Sequence, residues 1–309
     1  MDVFLQQLIN GIVLGSIYAL VALGYTMVYG ILGLINFAHG EVVMVGALVA
    51  LTVIQLLLGA GVPLPPMLIV ALGLAAAIAA CMALGFAIER VAYRPLRRSP
   101  RLAALITAIG VSILLQNAAM IIWGRQYHSF PALLPATPHQ IGGATVNDLQ
   151  IFIVALACAI MAGLLWLVHR TRLGRAMRAT SQDPEVAGLM GVNINTVISV
   201  TFVIGSALAA VAGLMVSAYY GIAHYFMGFM LGLKAFTAAV LGGIGNLAGA
   251  MLGGLLLGVI ESLGAGYIGL LTGGFLGSHY QDVFAFLVLI LVLVFRPSGL
   301  LGERVAERA

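Results

Sequence analysis

The chain has 309 residues, of which 62% are hydrophobic and 8% are charged, and its mean hydropathy is +1.13. Soluble domains carry about 25% charged residues, so this composition excludes a soluble globular protein and predicts a chain that lies in lipid. The net charge of +4 does not indicate nucleic-acid binding, because the basic residues cluster in a few loops between apolar runs.

Apolar runs of about 20 residues without strict alternation predict transmembrane helices rather than barrel strands. Nine such segments can be delimited, at residues 5–29, 40–59, 66–89, 102–123, 150–169, 195–219, 226–242, 247–268 and 280–296. The seventh is short and contains Lys234, so eight helices plus a re-entrant segment are the alternative. We therefore expect an all-α polytopic membrane protein.

Basic residues predict the orientation of these segments. Twelve of the 14 Lys and Arg residues follow the third, fifth and ninth segments, and the positive-inside rule places those three clusters in the cytoplasm. The loop at 124–149 then lies outside, the N-terminus outside and the C-terminus in the cytoplasm. The first four and last four segments cross in opposite senses, which predicts an inverted repeat of helices 1–4 and 6–9.

Glycine is abundant, with 39 residues, and several glycines are four positions apart. This small-xxx-small spacing lets helix backbones approach closely, within one subunit or between subunits. The pairs are Gly11 and Gly15, Gly228 and Gly232, Gly249 and Gly253, and Gly254 and Gly258.

The stretch GLINFAHGEVVMVG (33–46) places Asn36, His39 and Glu41 at the junction of the first two segments. Counting from the segment ends puts them near the cytoplasmic face, and a re-entrant break is the alternative. Glu41 lies in the first turn of the second helix, where the helix dipole favours a negative charge. Asn36 can accept hydrogen bonds from backbone N–H groups nearby. For His39 we expect an interhelical hydrogen bond or a gating role.

Other polar side chains fall inside the predicted spans. A charge at a helix centre costs roughly 2.5–3.5 kcal/mol on insertion scales, so Lys234 and Glu261 should each face a cavity, a helix end or a partner. The two can pair between the seventh and eighth helices. The amides of Gln116 and Asn117 are expected to bond to neighbouring helices.

The loop at 170–194 predicts a short helix outside the membrane. Asp183 is a good N-cap, Pro184 suits the first helical position, Glu185 favours the positive end of the helix, and Gly191 can end it in a left-handed conformation. Such a helix either rests on the bundle or inserts into a cytoplasmic partner.

Catalytic and nucleotide-binding motifs are missing from the sequence. No GK[ST] sequence occurs, so this chain is not expected to bind ATP itself. GGIGNLAG (242–249) precedes an apolar span and predicts a tight turn rather than a dinucleotide site. No two of the six histidines are three to five residues apart, so we expect no metal ligands, no catalytic residues and no cofactor.

Four stretches resemble a known family: GYTMVYGILGLINFAHGE (24–41), ERVAYRPLR (89–97), LGRAMRATSQDPEVAGLMGVN (173–193) and KAFTAAVLGGIGNLAGAMLGG (234–254). They resemble, in the same order, the H-type permease subunit of branched-chain amino-acid ABC importers. The resemblance covers nearly the whole chain. It implies a single permease domain at 1–309, with 170–194 as its cytoplasmic coupling loop.

That resemblance implies a bacterial inner-membrane importer for leucine, isoleucine or valine, driven by ATP hydrolysis in other subunits. The expected partners are a second homologous permease or a copy of this chain, two ATP-binding subunits and a periplasmic substrate-binding protein. The alternatives are an importer for urea, amides or another small solute, and a secondary transporter. The coupling residues would be Asp183, Pro184, Glu185, Ala187, Gly188 and Gly191, while Asn36, His39, Glu41, Lys234 and Glu261 would serve the pathway or its structural break.

The orientation predicts how cysteines in two loops react with a membrane-impermeant thiol reagent. A cysteine placed within 129–147 should be labelled from outside, because that loop is predicted to lie outside the membrane. A cysteine within 179–182 should be labelled only after the membrane is opened. The reverse pattern would contradict the predicted topology.

Overall fold

The computed structural model describes residues 2–61, 63–97, 99–273 and 280–302. Most of these residues are helical. The helices are α1 (Asp2–Leu32), α2 (His39–Gly59), α3 (Pro66–Ile88), α4 (Arg101–Trp123), α5 (Asp148–Arg170), α6 (Arg172–Gln182), α7 (Pro184–Leu189), α8 (Ile194–Tyr220), α9 (Met227–Gly242), α10 (Leu247–Leu271) and α11 (Gln281–Phe295). Four short strands are β1 (His128–Ser129), β2 (Pro138–Ile141), β3 (Ala144–Asn147) and β4 (Ile222–Ala223).

Seven helices in the described residues are long and apolar enough to cross a membrane: α1, α2, α3, α4, α5, α8 and α10. Met227–Gly242 and Phe286–Phe295 are shorter apolar helical stretches. Each of the nine segments delimited in the sequence thus forms a helix, and the prediction of an all-α polytopic protein is confirmed. The number of crossings, the orientation and the inverted repeat stay predictions.

The chain divides into two compact units. One comprises Met1–Thr26, Ala136–Met161 and Lys234–Ala309, and the other comprises Met27–Pro135 and Ala162–Leu233. We call them the first and the second unit.

In the second unit, α2, α3 and α8 pack at backbone distance. A Cβ atom on Gly46 of α2 would lie 2.7 Å from the Cα of Ala210 in α8. A Cβ on Gly85 of α3 would clash with Ser206 of α8. Helices in lipid associate through close van der Waals contact, since lipid is as apolar as their side chains, and small residues permit that contact.

In the first unit, the N-terminal part of α1 packs against α10 in the same way. A Cβ on Gly15 would lie 2.7 Å from the Cα of Leu255, and one on Gly258 would clash with the backbone of Gly15 and Gly11. The glycine pairs singled out in the sequence therefore mediate packing within this chain, as one of the two alternatives predicted.

The end of α3 is bound to the start of α8 in the second unit. The chain continues past Ile88 as a π-helical turn (Glu89–Tyr93) and a 3₁₀ turn. The buried Glu89 forms an ion pair with Arg97 and accepts a hydrogen bond from Ser199 Oγ at 2.7 Å. Arg97 also donates to Asn195 Oδ1 at 2.7 Å. Burial lowers the pKa of the Arg97 guanidinium, and the charge of Glu89 opposes that shift.

The loop at 124–149 contains more structure than the sequence suggested. In the first unit, β2 and β3 form an antiparallel hairpin, and its turn holds Gly142 and Gly143 at φ +58° and +88°. Two consecutive residues with positive φ are typical of a tight hairpin turn, for which Gly-Gly is a favoured sequence. In the second unit, β1 pairs with β4.

Close packing of α1 on α10 predicts the effect of one added methyl group. Gly258→Ala should lower the free energy of unfolding by about 1–3 kcal/mol, because backbone atoms of α1 occupy the space that the methyl group needs. The thermal unfolding midpoint of the purified protein in detergent measures this.

Gly110→Ala in α4 is the matched control, since a Cβ there meets no atom within 4 Å. It should leave stability unchanged or raise it by up to about 1 kcal/mol, because alanine favours the helix. Equal midpoints for the two variants would contradict the packing argument.

Candidate functional site

Residues 33–38 form a break between α1 and α2. Gly33 has a φ of +61°, a conformation that glycine adopts without strain, and α2 begins at His39. Asn36 Oδ1 accepts hydrogen bonds from the Ala38 N–H at 3.1 Å and from the Tyr93 hydroxyl at 3.0 Å. The predicted role of Asn36 as an acceptor for nearby N–H groups is confirmed. The bond from Tyr93 was not foreseen, because it joins residues 57 positions apart.

Glu41 is buried among neutral hydrogen-bond donors. Its carboxylate oxygen Oε1 accepts from Gln116 Nε2 at 2.7 Å and from Ser112 Oγ at 3.2 Å, and both donors belong to α4. Its Oε2 has no hydrogen-bond partner among the described residues. The expected interhelical bond of Gln116 is confirmed. The same expectation is wrong for Asn117, which donates to the Ile113 carbonyl of its own helix.

These bonds place the start of α2 at mid-length of α4. Ser112 and Gln116 follow Arg101, the first residue of α4, by 11 and 15 positions, or by about 16–22 Å at 1.5 Å per residue. A carboxylate that reaches both lies far from the end of α4. The position of the break relative to the membrane, re-entrant or near the cytoplasmic face, stays a prediction.

The first residues of α9 pack against the same point. A Cβ on Gly40 would lie 2.8 Å from the Cα of Gly232, and one on Gly228 would lie 2.7 Å from Glu41 Oε2. The start of α2 and the start of α9 therefore meet backbone to backbone beside a buried carboxylate. His39 is also buried, and its role stays a prediction.

In the first unit, Lys234 bridges two carboxylates. Its ammonium nitrogen lies 2.7 Å from Glu261 Oε1 and 2.7 Å from Asp282 Oδ1, and the Tyr18 ring centroid is 5.9 Å away. The predicted pairing of Lys234 with Glu261 is confirmed. Asp282, at the polar start of α11, was not among the residues that the sequence singled out. This cluster joins α9, α10 and α11.

The predicted cap of the 183–191 helix is present. Asp183 Oδ1 accepts from the backbone N–H groups of Glu185 at 2.9 Å and Val186 at 3.0 Å. Pro184 is the first residue of α7, and Gly191 has a φ of +86°. The preceding helix α6 was not predicted, although its residues alternate basic and apolar side chains at helical spacing.

The apolar side chains of α7 and its C-cap point in two directions. Ala187 is 3% exposed, so it anchors the helix to the protein. Val186, Leu189 and Met190 are 53%, 87% and 81% exposed. We call these three residues the exposed α7 surface. The candidates chosen from the sequence contained the anchor, Ala187, but none of these three residues. Adjacent exposed apolar side chains are typical of a site that another protein covers.

The remaining sequence predictions concern metal binding and the turn at 242–249. Within the described ranges, no three His, Cys, Asp or Glu side chains lie together in a way that would hold a metal ion. Gly243 and Gly245, at φ +107° and +96°, form the tight turn between α9 and α10, as the sequence predicted. Asn246 then caps α10 by accepting from the Gly249 N–H at 3.0 Å.

Long apolar helices with ionisable groups paired or hydrogen-bonded between them define a multi-pass α-helical membrane protein. A family model described as the permease component of branched-chain amino acid transport systems matches residues 7–293. The chain therefore belongs to this family of permeases.

Two relatives match nearly the whole chain, and a third matches part of it. The high-affinity branched-chain amino acid transport system permease protein BraD of Pseudomonas aeruginosa is 49% identical, covering 99% of this chain and 98% of the relative. The corresponding protein LivH of Escherichia coli K12 is 47% identical over 99% of this chain and 97% of its own. The Autoinducer 2 import system permease protein LsrC of Escherichia coli is 30% identical, but covers 63% of this chain and 56% of the relative.

The charge cluster predicts a non-additive pair of substitutions. Lys234→Met should lower the free energy of unfolding by about 3–5 kcal/mol, because it leaves the buried Glu261 carboxylate without its cation. Adding Glu261→Gln should recover part of that loss. Thermal unfolding of the two variants and of Glu261→Gln alone completes the double-mutant cycle. Strictly additive changes would show that the pair contributes no coupling energy.

Proposed function

We propose that this chain is the permease subunit of an ATP-driven importer of branched-chain amino acids in the bacterial inner membrane. Full-length identity of 47–49% to two permeases of high-affinity branched-chain amino acid transport carries this proposal. The partners are a second homologous permease or a copy of this chain, two ATP-binding subunits and a periplasmic substrate-binding protein. The chain acts as one permease domain with 170–194 as its coupling loop, and ATP hydrolysis belongs to the ATP-binding subunits.

The break at 33–38 and the adjoining Glu41 are proposed to lie on the transport pathway. Transporters commonly place interrupted helices at the middle of the membrane, where unpaired backbone and buried polar groups meet the substrate. Two observations support this assignment: Glu41 contacts α4 at mid-length, and its Oε2 has no partner among the described residues. Asn36 and His39 would shape the same break. Lys234 and Glu261 are assigned to structure, because each has an opposite charge at 2.7 Å.

The exposed α7 surface is proposed to insert into an ATP-binding subunit. Three apolar side chains project from a helix whose cap is fixed by Asp183 and whose anchor is Ala187. An apolar surface on a capped helix can transmit the movement of a partner without changing its own conformation. Asp183, Pro184 and Gly191 set the shape of this helix, and Glu185 and Gly188 lie on it.

An importer for another small solute, such as urea or an amide, is the alternative. Its support is that a permease of the Autoinducer 2 import system matches part of this chain. The two possibilities differ in which loaded binding protein activates the complex.

The experiment is to express the chain with its partner subunits, purify the complex and reconstitute it in proteoliposomes. Binding protein loaded with leucine, isoleucine or valine should stimulate ATP hydrolysis and drive uptake of the amino acid. Binding protein loaded with urea or acetamide should not. Stimulation by urea or acetamide alone would support the alternative, and uptake without ATP would indicate a secondary transporter.

The coupling assignment predicts a separation of folding from transport. Leu189→Asp should abolish leucine uptake and reduce co-purification of the ATP-binding subunits. The substitution places a charge where an apolar side chain, 87% exposed in this chain alone, is proposed to contact the partner. Membrane insertion and the thermal midpoint should not change, since the side chain packs against little of the chain. Gln140→Asp, at an exposed position on β2 outside the coupling loop, is the matched control and should transport normally. Normal uptake by Leu189→Asp would overturn the assignment.

A further inference from the structure

A cavity of about 400 Å³ lies in the second unit, between the end of α3 and the start of α8. Its size falls in the range of small-molecule sites. Two arginines, Arg90 and Arg94, line one part of it, and Phe86, Val200 and Val203 line another. The cavity therefore offers both charge and apolar surface.

Charge and apolar surface occupy opposite ends of this cavity. Along α3 and the turns that continue it, Phe86 precedes Arg94 by eight residues, or about 12 Å. On α8, Asn193 precedes Val203 by ten residues, or about 15 Å. The helices are antiparallel, so both place their polar residues at the same end. The hydrogen bonds of Ser199 to Glu89 and of Arg97 to Asn195 fix that alignment.

The two arginines at the polar end are not neutralised. Glu89, the nearby carboxylate, is already engaged by Arg97 and Ser199. Neither the Arg90 guanidinium nor the Arg94 guanidinium makes an ion pair or a hydrogen bond with any residue that the structure describes. Guanidinium groups are planar, permanently charged donors that match the oxygens of a phosphate group.

We propose that this cavity binds an acidic phospholipid. Its phosphate would lie against Arg90 and Arg94, and the first part of an acyl chain would follow Phe86, Val200 and Val203. A free phosphate would use only the basic end and would leave the apolar walls uncovered. Basic pockets between membrane helices on the cytoplasmic side are known to bind anionic lipid headgroups, and the positive-inside rule places this end in the cytoplasm.

The test is native mass spectrometry of the purified full-length protein in detergent, titrated with dioleoyl phosphatidylglycerol or phosphatidylcholine. Phosphatidylglycerol should remain bound in preference to phosphatidylcholine. Arg90→Gln combined with Arg94→Gln should weaken the binding of phosphatidylglycerol by about 30-fold, as expected for two arginines near a membrane surface. Arg172→Gln combined with Arg175→Gln removes the same charge from exposed positions on α6 and should leave binding unchanged.

A further variant tests the apolar end. Val203→Trp fills that end and should weaken phosphatidylglycerol binding, while an unaltered thermal midpoint shows that the protein is folded. Equal binding of phosphatidylglycerol to the wild type and to the double arginine variant would overturn the proposal. So would complete displacement of the lipid by inorganic phosphate, which would indicate a phosphate site alone. Loss of the ATP-binding subunits from the arginine variant, with lipid binding intact, would instead assign the cavity to a protein contact.

Discussion

The cost of an unpaired charge in an apolar surrounding determines how this chain is built. An unpaired ionisable group away from water costs several kcal/mol, so the helices must be arranged to bring partners together. Lys234 meets Glu261 and Asp282, and Glu89 meets Arg97 and Ser199. Each cluster joins segments that are distant in sequence, so the need to satisfy a few charges selects which helices become neighbours.

Glycine packing occurs beside one of these charge clusters. A Cβ on Gly253 of α10 would clash with the Ala238 carbonyl of α9, and Lys234 and Glu261 join the same two helices. The contact of Gly40 with Gly228 and Gly232 has the same effect at the break, since any side chain there would push α9 away from Glu41. Polar contacts and glycine packing therefore occur side by side at both sites.

Sequence reasoning succeeded wherever the determinant is local. Long apolar runs predicted the helices, Asp183 and Pro184 predicted the start of α7, and glycine predicted turns and close contacts. It failed where the determinant is a partner far along the chain. No pattern near Glu41 in the sequence predicts its contact with Ser112, and none near Lys234 predicts its contact with Asp282.

The difference between the two buried sites indicates where a transport movement is least costly. Separating Lys234 from its carboxylates would leave a buried charge unpaired, at a cost of about 3–5 kcal/mol in free energy. Glu41 is held instead by two neutral donors, and exchanging hydrogen bonds to a charged group involves about 1.5–3 kcal/mol, which an incoming polar group can restore. A bundle that alternates between two states needs elements with two arrangements of similar energy. On this argument the Lys234 cluster keeps α9, α10 and α11 together as one body, whereas the break at 33–38 is where we expect the two transport states to differ.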